Sequence, residues 1–199
     1  IMESQSPVRY EARRGQLQEY FDHTALDNWK ALTSDAPVSR IRQSVRNGRD
    51  EMRELLLSGL PQDLTGSQLL DAGCGTGALA MAAAVRGAEV TAIDLSANLV
   101  ELAASRAAEI QRSNSLAGSV RFDSGDMLGS HWGEFDHTVC MDSLIHYEME
   151  DTLGALARLA SRTRKSLQFT VAPANPLLRA MHRVGQWLPR QSRSPDIQP

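Results

Sequence analysis

The run Asp71-Ala72-Gly73-Cys74-Gly75-Thr76-Gly77 constrains this chain more than any other feature. It follows a short apolar strand signal at Leu69 and Leu70, and an alanine-rich stretch typical of a helix comes after it. A strand, a glycine-rich turn and a helix in that order form a site for a nucleotide-type cofactor. Glycine allows a positive φ and lets the backbone approach a ligand closely. The sequence therefore predicts an α/β fold with a cofactor at this turn.

An acidic residue before the glycines distinguishes two cofactor classes. Gly73-x-Gly75-x-x-Ala78 fits the loose dinucleotide pattern, and Asp94 stands near the spacing of a ribose-binding acid. We expect Asp71, two residues before the first glycine, to face the ligand. A carboxylate there repels a pyrophosphate and attracts a cation. S-adenosylmethionine (SAM) carries a sulfonium and an ammonium group and no phosphate, so the sequence favours SAM over NAD.

Three further strand patterns, over residues 88–93, 119–123 and 135–141, end in or precede acidic residues, and a fifth strand is predicted over residues 166–171. Ligands of open α/β sheets bind at the carboxyl ends of the strands, so these acids are expected along one edge. Asp94 is expected to bind the ribose hydroxyls, Asp126 the adenine amino group, and Met127 the adenine ring. The residues predicted to contact the cofactor are Asp71, Gly73, Cys74, Gly75, Gly77, Asp94, Leu95, Asp126, Met127, Asp142 and Ser143.

Composition excludes several other classes of protein. The chain has 199 residues and a formal net charge of −3, which suits one α/β domain and does not indicate a nucleic-acid partner. Its two cysteines, Cys74 and Cys140, predict no disulfide framework and no metal site, and they favour a reducing compartment. No apolar run approaches the roughly 18 residues of a membrane span, and no signal peptide is visible. We therefore expect a cytoplasmic location.

The motif D-x-G-x-G-x-G, together with Asp94 and the Gly125-Asp126-Met127 turn, resembles a class I SAM-dependent methyltransferase over about residues 67–172. The resemblance implies a Rossmann-like, mostly parallel sheet flanked by helices. It divides the chain into an N-terminal helical arm or lid (1–65), a SAM-binding core (66–173) and a substrate-covering helix with a tail (174–199). The family's sheet normally has two further C-terminal strands. We expect them to be missing from this sequence, with a five-stranded variant as the alternative.

A closer resemblance is to the magnesium-protoporphyrin IX O-methyltransferase family of the purple-bacterial type. It rests on Tyr20-Phe21-Asp22, on Trp29, on residues 34–38 and 39–53, and above all on Met141-Asp142-Ser143-Leu144-Ile145-His146-Tyr147. The resemblance implies methyl transfer from SAM to a propionate carboxylate of magnesium protoporphyrin IX in chlorophyll or bacteriochlorophyll biosynthesis. It also implies the porphyrin-binding subunit of magnesium chelatase as a partner.

The resemblance implies catalytic roles for Tyr20 and His146. A propionate resembles a glutamate side chain, whose pKa is about 4.3, so it is ionised at pH 7 and requires no strong base. His146 then either orients the carboxylate, takes its last proton, or ligates the porphyrin magnesium. For Tyr20 the alternative is a packed aromatic beside Phe21 and Trp29.

An arginine stripe marks the helix predicted over residues 38–57. Its members are Arg42, Arg46, Arg49 and Arg53, and the adjacent face carries Ile41, Val45, Gly48, Met52 and Leu55, which we expect to pack in the core. The stripe is interpreted as a solvated flank, as a site for porphyrin carboxylates, or as a surface for peripheral contact with an anionic membrane. The residues expected at the substrate are Trp29, Arg42, Arg46, Arg49, Tyr147 and Met181, the last on a helix predicted over residues 176–187.

Two alternatives retain the SAM-binding fold. One is a class I methyltransferase acting on another small molecule, such as a quinone, and the other is a non-catalytic SAM-binding subunit. An NAD-dependent oxidoreductase is the more distant alternative.

Overall fold

The computed structural model describes residues 6–24, 40–113 and 116–171. Five strands form one sheet in the order β3-β2-β1-β4-β5, and every neighbouring pair is parallel. The strands are β1 (Gln68–Ala72), β2 (Glu89–Asp94), β3 (Ser119–Ser124), β4 (Phe135–Cys140) and β5 (Thr163–Phe169). This arrangement is the Rossmann-like parallel sheet that the sequence predicted.

Helices cover both faces of the sheet. They are α1 (Ser6–Glu19), α2 (Arg40–Ser58), α3 (Ala78–Val85), α4 (Ala97–Ser113) and α5 (Met149–Ala160). A π-helical turn, Tyr20–Thr24, continues α1, and 3₁₀ turns occupy Ser130–Trp132 and Leu144–His146. The hydroxyl of Ser96 accepts the N–H of Leu99 at 3.3 Å, as an N-cap of α4 does.

The central strand β1 is buried on both faces, which explains its continuous apolar sequence. Leu69 belongs to the core under α2 and α3, together with Leu57 and Val90. Leu70 belongs to the core under α5, together with Leu159. Burial on both sides fixes the register of the strand, and with it the position of the glycine-rich turn that follows.

The predicted strands over residues 88–93, 119–123 and 135–141 agree with β2, β3 and β4 to within one residue at each end. The fifth strand was predicted over residues 166–171, but β5 begins three residues earlier, at Thr163. Thr163 pairs with Phe135, although the side chains of Arg164 and Lys165 are exposed. The first residues of this strand are polar, so a prediction based on apolar residues placed its start too late.

The predicted core face of α2 is only partly correct, because Met52 packs against the core but two other members of the face do not. Val45 and Leu55 are 47% and 66% exposed, whereas Leu56 and Leu57 are buried in the core. Arg53 and Arg49 lie about one and two helical turns before Leu56. These half-buried arginines therefore share the inward-facing side of the helix with the leucines.

Several predicted features lie outside the described residues, including Trp29, Met181 and the helix over 176–187. Arg42 lies in the first turn of α2, where the side chains are outside the described part. The division of the chain into three segments stays a prediction. Among the described helices, none combines the length and the apolar character that a membrane crossing requires.

Candidate active site

A cavity with an open volume of about 630 Å³ lies at the carboxyl ends of the strands. It brings together most of the predicted cofactor residues with His146 and Tyr147. The predicted residues that line it are Gly73, Gly75, Asp94, Leu95, Asp126, Met127, Asp142, Ser143, His146 and Tyr147. Along the sheet, the acids follow the order Asp126 after β3, Asp94 at the end of β2 and Asp142 after β4. With the glycine-rich turn after β1 between Asp94 and Asp142, this order provides an elongated site across the four neighbouring strands β3, β2, β1 and β4.

The glycine-rich turn forms the floor of the cavity. Gly73 has φ +88°, and a Cβ at this position would lie 2.3 Å from the Cβ of Ser143. Glycine is therefore the residue that fits here. Gly77 has a different role, because its Cβ would lie 2.7 Å from the ring of Phe122. Gly77 and Cys74 do not line the cavity. Gly77 is therefore required by packing, because the turn lies too close to Phe122 of β3 for a side chain to fit.

Asp94 ties the turn to the end of β2. Its Oδ2 accepts the N–H of Gly75 at 2.8 Å, and its Oδ1 accepts the N–H of Ser96 at 3.0 Å. Burial raises the pKa of Asp94, and these two backbone N–H groups oppose the change. An ionised carboxylate has about four acceptor sites. The geometry thus leaves acceptor capacity for the hydroxyls of a ribose.

The sequence led us to expect that Asp71 faces the ligand, but its side chain does not line the cavity. Its side chain is 1% exposed and is absent from the cavity lining. One oxygen receives the backbone N–H of Ala80 in the first turn of α3, while Oδ2 is buried without a hydrogen-bond partner. Burial, followed by the charge of Asp94, raises the pKa of Asp71 to about 7. Any effect of Asp71 on a bound cation is therefore electrostatic and acts without direct contact.

Asp126 connects the cavity to α1 and its π-helical turn. From here on, 'N-terminal arm' means these residues, 6–24, which are part of the longer arm predicted from the sequence. Tyr10 donates its hydroxyl to Asp126 Oδ1 at 3.0 Å, and Arg14 Nη1 donates to Oδ2 at 2.9 Å. The N–H of Leu128 also donates to Oδ1, at 2.9 Å. Trp132 Nε1 donates to the backbone carbonyl of Asp126 at 2.9 Å. These contacts hold both the acid and its turn in the wall of the cavity.

The N-terminal arm contacts the core at several other points. Arg9 forms ion pairs with Glu148 and Asp151 at 2.9 and 3.2 Å. At the other end of the arm, Ser96 Oγ donates to Asp22 Oδ1 at 2.5 Å. Ion pairs at the surface contribute little individually, so the buried aromatic contacts carry more of the attachment.

Three cavity-lining residues of the arm were missed by the sequence reading, namely Tyr10, Leu17 and Phe21. Tyr10 stacks on Tyr147 with a centroid separation of 5.0 Å, and Leu17 belongs to the same buried cluster. Tyr10 and Leu17 are seven residues apart on a polar helix, which is the spacing of one helical face. That spacing is the signal that could have identified them.

His146 lines the cavity and is positioned by the arm. Its ring meets Phe21 edge-on at 5.9 Å, and its backbone carbonyl accepts from Arg13 Nε at 2.9 Å. Tyr20, the other predicted catalytic residue, packs edge-on against Phe21 at 5.3 Å and does not line the cavity. The ring of Phe21 thus connects Tyr20 to His146.

Asp142 is the non-glycine residue with a positive φ, +56°, in the described part of the chain. Its N–H donates to Thr170 Oγ1 at 2.7 Å, and Arg49 Nη1 donates to its Oδ2 at 2.8 Å. Arg49 therefore reaches the cavity wall, although it does not itself line the cavity, and neither does Arg46. The described residues hold no group of three or more histidine, cysteine or acidic side chains suited to a metal ion.

Comparisons with known proteins agree with this geometry. Residues 140–199 match a family model described as the magnesium-protoporphyrin IX methyltransferase C-terminus, and residues 69–166 match a methyltransferase domain model. The chain is 44% identical to magnesium-protoporphyrin O-methyltransferase of Rhodobacter capsulatus over 194 residues, which cover 97% of this chain and 84% of the relative.

Two solved structures of magnesium protoporphyrin IX methyltransferase from Synechocystis PCC 6803 have the same fold. The one with bound SAH matches with a TM-score of 0.76 and 26% identity, covering 94% of this chain and 83% of the other. The one with bound SAM matches with a TM-score of 0.69 and 27% identity, covering 81% and 77% respectively. Cofactor and fold are therefore those of a SAM-dependent O-methyltransferase.

Proposed function

Because the chain belongs to the magnesium-protoporphyrin IX O-methyltransferase family, we propose that it methylates a propionate carboxylate of magnesium protoporphyrin IX. The product is the monomethyl ester, formed during chlorophyll or bacteriochlorophyll synthesis. One observation carries the proposal. A single cavity at the strand ends contains the acids suited to SAM together with His146.

The order of the acids along the sheet supports one orientation of the donor. Met127 and Asp126 lie where the adenine would bind, and Asp94 lies where the ribose would bind. The donor's methionine part would then lie near Gly73, Asp142 and Ser143. Asp126 already holds Tyr10 and Arg14, so its contribution to the adenine end includes keeping the arm closed over it.

Methyl transfer to a carboxylate requires little acid–base chemistry from the protein. SAM supplies an electrophilic methyl group on a sulfonium centre. The propionate is already ionised near neutral pH, so the residues must position its oxygen about 3–3.5 Å from the methyl carbon, in line with the sulfur. We propose that His146 orients this oxygen by a hydrogen bond.

The N-terminal arm covers part of the site. Charges on donor and acceptor cancel as the methyl group moves, so exclusion of water favours the reaction. Tyr10, Leu17 and Phe21 cover the cavity with apolar surface, and Phe21 connects Tyr20 to the ring of His146. We therefore propose that Tyr20 acts mainly by positioning His146 through Phe21.

The direct experiment incubates the protein with SAM and magnesium protoporphyrin IX and detects the monomethyl ester by mass. His146→Ala should lower kcat by about 10²-fold or more, within the range expected for a positioned catalytic group. The affinity for SAM should change little. His131→Ala is the matched control, since this histidine is exposed and absent from the cavity lining. SAM binding without any ester would overturn the proposed acceptor and leave a methyltransferase for another small molecule.

The partner interactions predicted from the sequence stay proposals. Delivery of the porphyrin by the porphyrin-binding subunit of magnesium chelatase would be tested by co-purification of the two proteins. For the arginine stripe, Arg49 is half-buried and reaches the cavity wall through Asp142, which favours contact with a ligand over contact with a lipid surface at this position. Sedimentation with anionic vesicles tests the proposed peripheral membrane contact.

A further inference from the structure

The ion pair between Arg49 and Asp142 connects helix α2 to the β4 end of the cavity. The two side chains are 28% and 26% exposed, and the nitrogen–oxygen distance is 2.8 Å. The next arginine on the same side of the helix behaves differently. Arg53 forms its ion pairs with Asp50 and Glu54 of its own helix. Of these two arginines, Arg49 is the one with an anionic partner in the cavity wall.

Asp142 lies at the end of the cavity away from the adenine site. The order along the sheet is Asp126, Asp94, Gly73 and Asp142, and Asp142 adjoins Ser143, which contacts Gly73 closely. If the donor lies along this order, its methionine part and the acceptor both reach Asp142. Each brings a carboxylate to that end: the amino-acid carboxylate of SAM and the reacting propionate.

A guanidinium at this position is suited to such a group. Burial lowers the pKa of Arg49 and the charge of Asp142 opposes the change, yet arginine stays protonated at all ordinary pH values. A partly desolvated cation requires an anion, and the planar guanidinium binds carboxylates in a bidentate manner. Asp142 supplies this anion in the protein alone, from a left-handed backbone conformation with φ +56° that aspartate adopts more readily than most residues with a side chain.

We propose that Arg49 binds a ligand carboxylate at the donor end of the cavity, with Asp142 as its partner until the ligand arrives. This inference rests on the proposed function in one respect, namely that the acceptor is the porphyrin propionate. The carboxylate comes either from the amino-acid part of SAM or from the porphyrin propionate. The competing explanation is that Arg49 only braces Asp142.

A double-mutant cycle separates these explanations. The variants are Arg49→Gln, Asp142→Asn and the double variant, with Arg53→Gln as the matched control on the same helix. Thermal melting identifies any variant that fails to fold. The dissociation constant of SAH, which carries the same amino-acid carboxylate as SAM, is measured by calorimetry. The porphyrin KM is measured at saturating SAM.

The comparison between Asp142→Asn and the double variant is decisive, because the ion pair between Arg49 and Asp142 is absent from both. Binding of a ligand carboxylate predicts that Arg49→Gln still weakens one ligand at least tenfold in the Asp142→Asn background. A rise in the SAH dissociation constant identifies the donor carboxylate, and a rise in the porphyrin KM identifies the propionate. Arg49→Lys should retain part of the effect, since it keeps the charge without the fork.

The inference is overturned if Arg49→Gln adds no more than Arg53→Gln does once Asp142 is replaced. Its failure is distinguishable from failure of the proposed function. If the wild-type protein forms no porphyrin ester, the proposed acceptor is wrong, and an unchanged SAH dissociation constant then overturns the role of Arg49 as well.

Discussion

Replacing Asp71 by asparagine tests the electrostatics beneath the glycine-rich turn. Asp71 pairs with β2 and β4 on either side of the central strand, and its carboxyl group is fully buried. Burial and the charge of Asp94 raise its pKa from 3.8 to about 7. An acid whose pKa is higher in the folded state destabilises the fold progressively as pH rises from its unfolded value to its folded value. This group should therefore lower the stability of the wild-type protein between about pH 4 and pH 7.

The magnitude follows from the two pKa values. Ionising Asp71 in the folded protein costs about 4 kcal/mol relative to the unfolded chain, at about 1.4 kcal/mol for each tenfold change in proton affinity. Between pH 5 and pH 8 the cost should grow by about 2–3 kcal/mol. The asparagine of the Asp71→Asn variant would never ionise, and its amide oxygen can still accept the N–H of Ala80. Its amide N–H₂ would occupy the position where Oδ2 has no partner, which costs about 1–3 kcal/mol at every pH.

The assay is urea denaturation of both proteins without cofactor at pH 5, 6, 7 and 8. The free energy of unfolding of Asp71→Asn should rise relative to wild type by about 2–3 kcal/mol across this range. Asp136→Asn is the control, because hydrogen bonding to Gln68 and Lys165 lowers the pKa of Asp136, so its difference from wild type should be constant above pH 5. A constant difference for Asp71→Asn as well would refute the reasoning.

Three further substitutions test the cavity wall. Gly73→Ala should weaken SAH binding at least tenfold, as measured by calorimetry. The new Cβ would lie 2.3 Å from the Cβ of Ser143, and φ at this position is +88°, so the clash and the backbone strain together cost several kcal/mol. Tyr10→Phe removes the hydroxyl that donates to Asp126 and should lower the free energy of unfolding by about 1–2 kcal/mol in urea. Arg162→Met removes donors to the carbonyls of the adenine-side turn at 2.5 and 3.0 Å, and should raise the SAH dissociation constant while kcat at saturating SAM changes little.

Gly48→Ala on α2 is the matched control for the glycine substitution. Its Cβ would meet nothing within 4 Å, so it should bind SAH normally and gain about 0.5–1 kcal/mol in stability. For Tyr10 and Arg162, a variant indistinguishable from wild type would show that the corresponding hydrogen bonds contribute nothing in solution.

The sheet and the cofactor edge could be predicted from sequence because each depends on local signals. Apolar runs locate β1, β2 and β4, Gly87 ends α3, and the acids follow the strands directly. These signals also predicted Asp94, Leu95, Asp126, Met127 and Asp142, all of which line the cavity. Parallel strands then bring the acids to one edge without further information.

The errors arose where the tertiary environment overrides the pattern. Val45 and Leu55 form an apolar stripe that remains exposed, while Arg49 and Arg53 lie on the side that meets the core. Asp71 was expected to face the ligand, but its side chain turns to the first turn of α3. The hydrogen bond from Tyr10 to the cavity wall could not be predicted from local sequence, because its partner, Asp126, is 116 residues away along the chain.

The central claim is that the cavity holds SAM with its adenine near Asp126 and its sulfur near Asp142. A crystal structure of this protein with SAH tests it most directly. We predict the ribose hydroxyls on Asp94, the adenine against Met127, and the methionine part between Gly73 and Asp142. SAH bound in the reverse direction, or outside this cavity, would contradict the account.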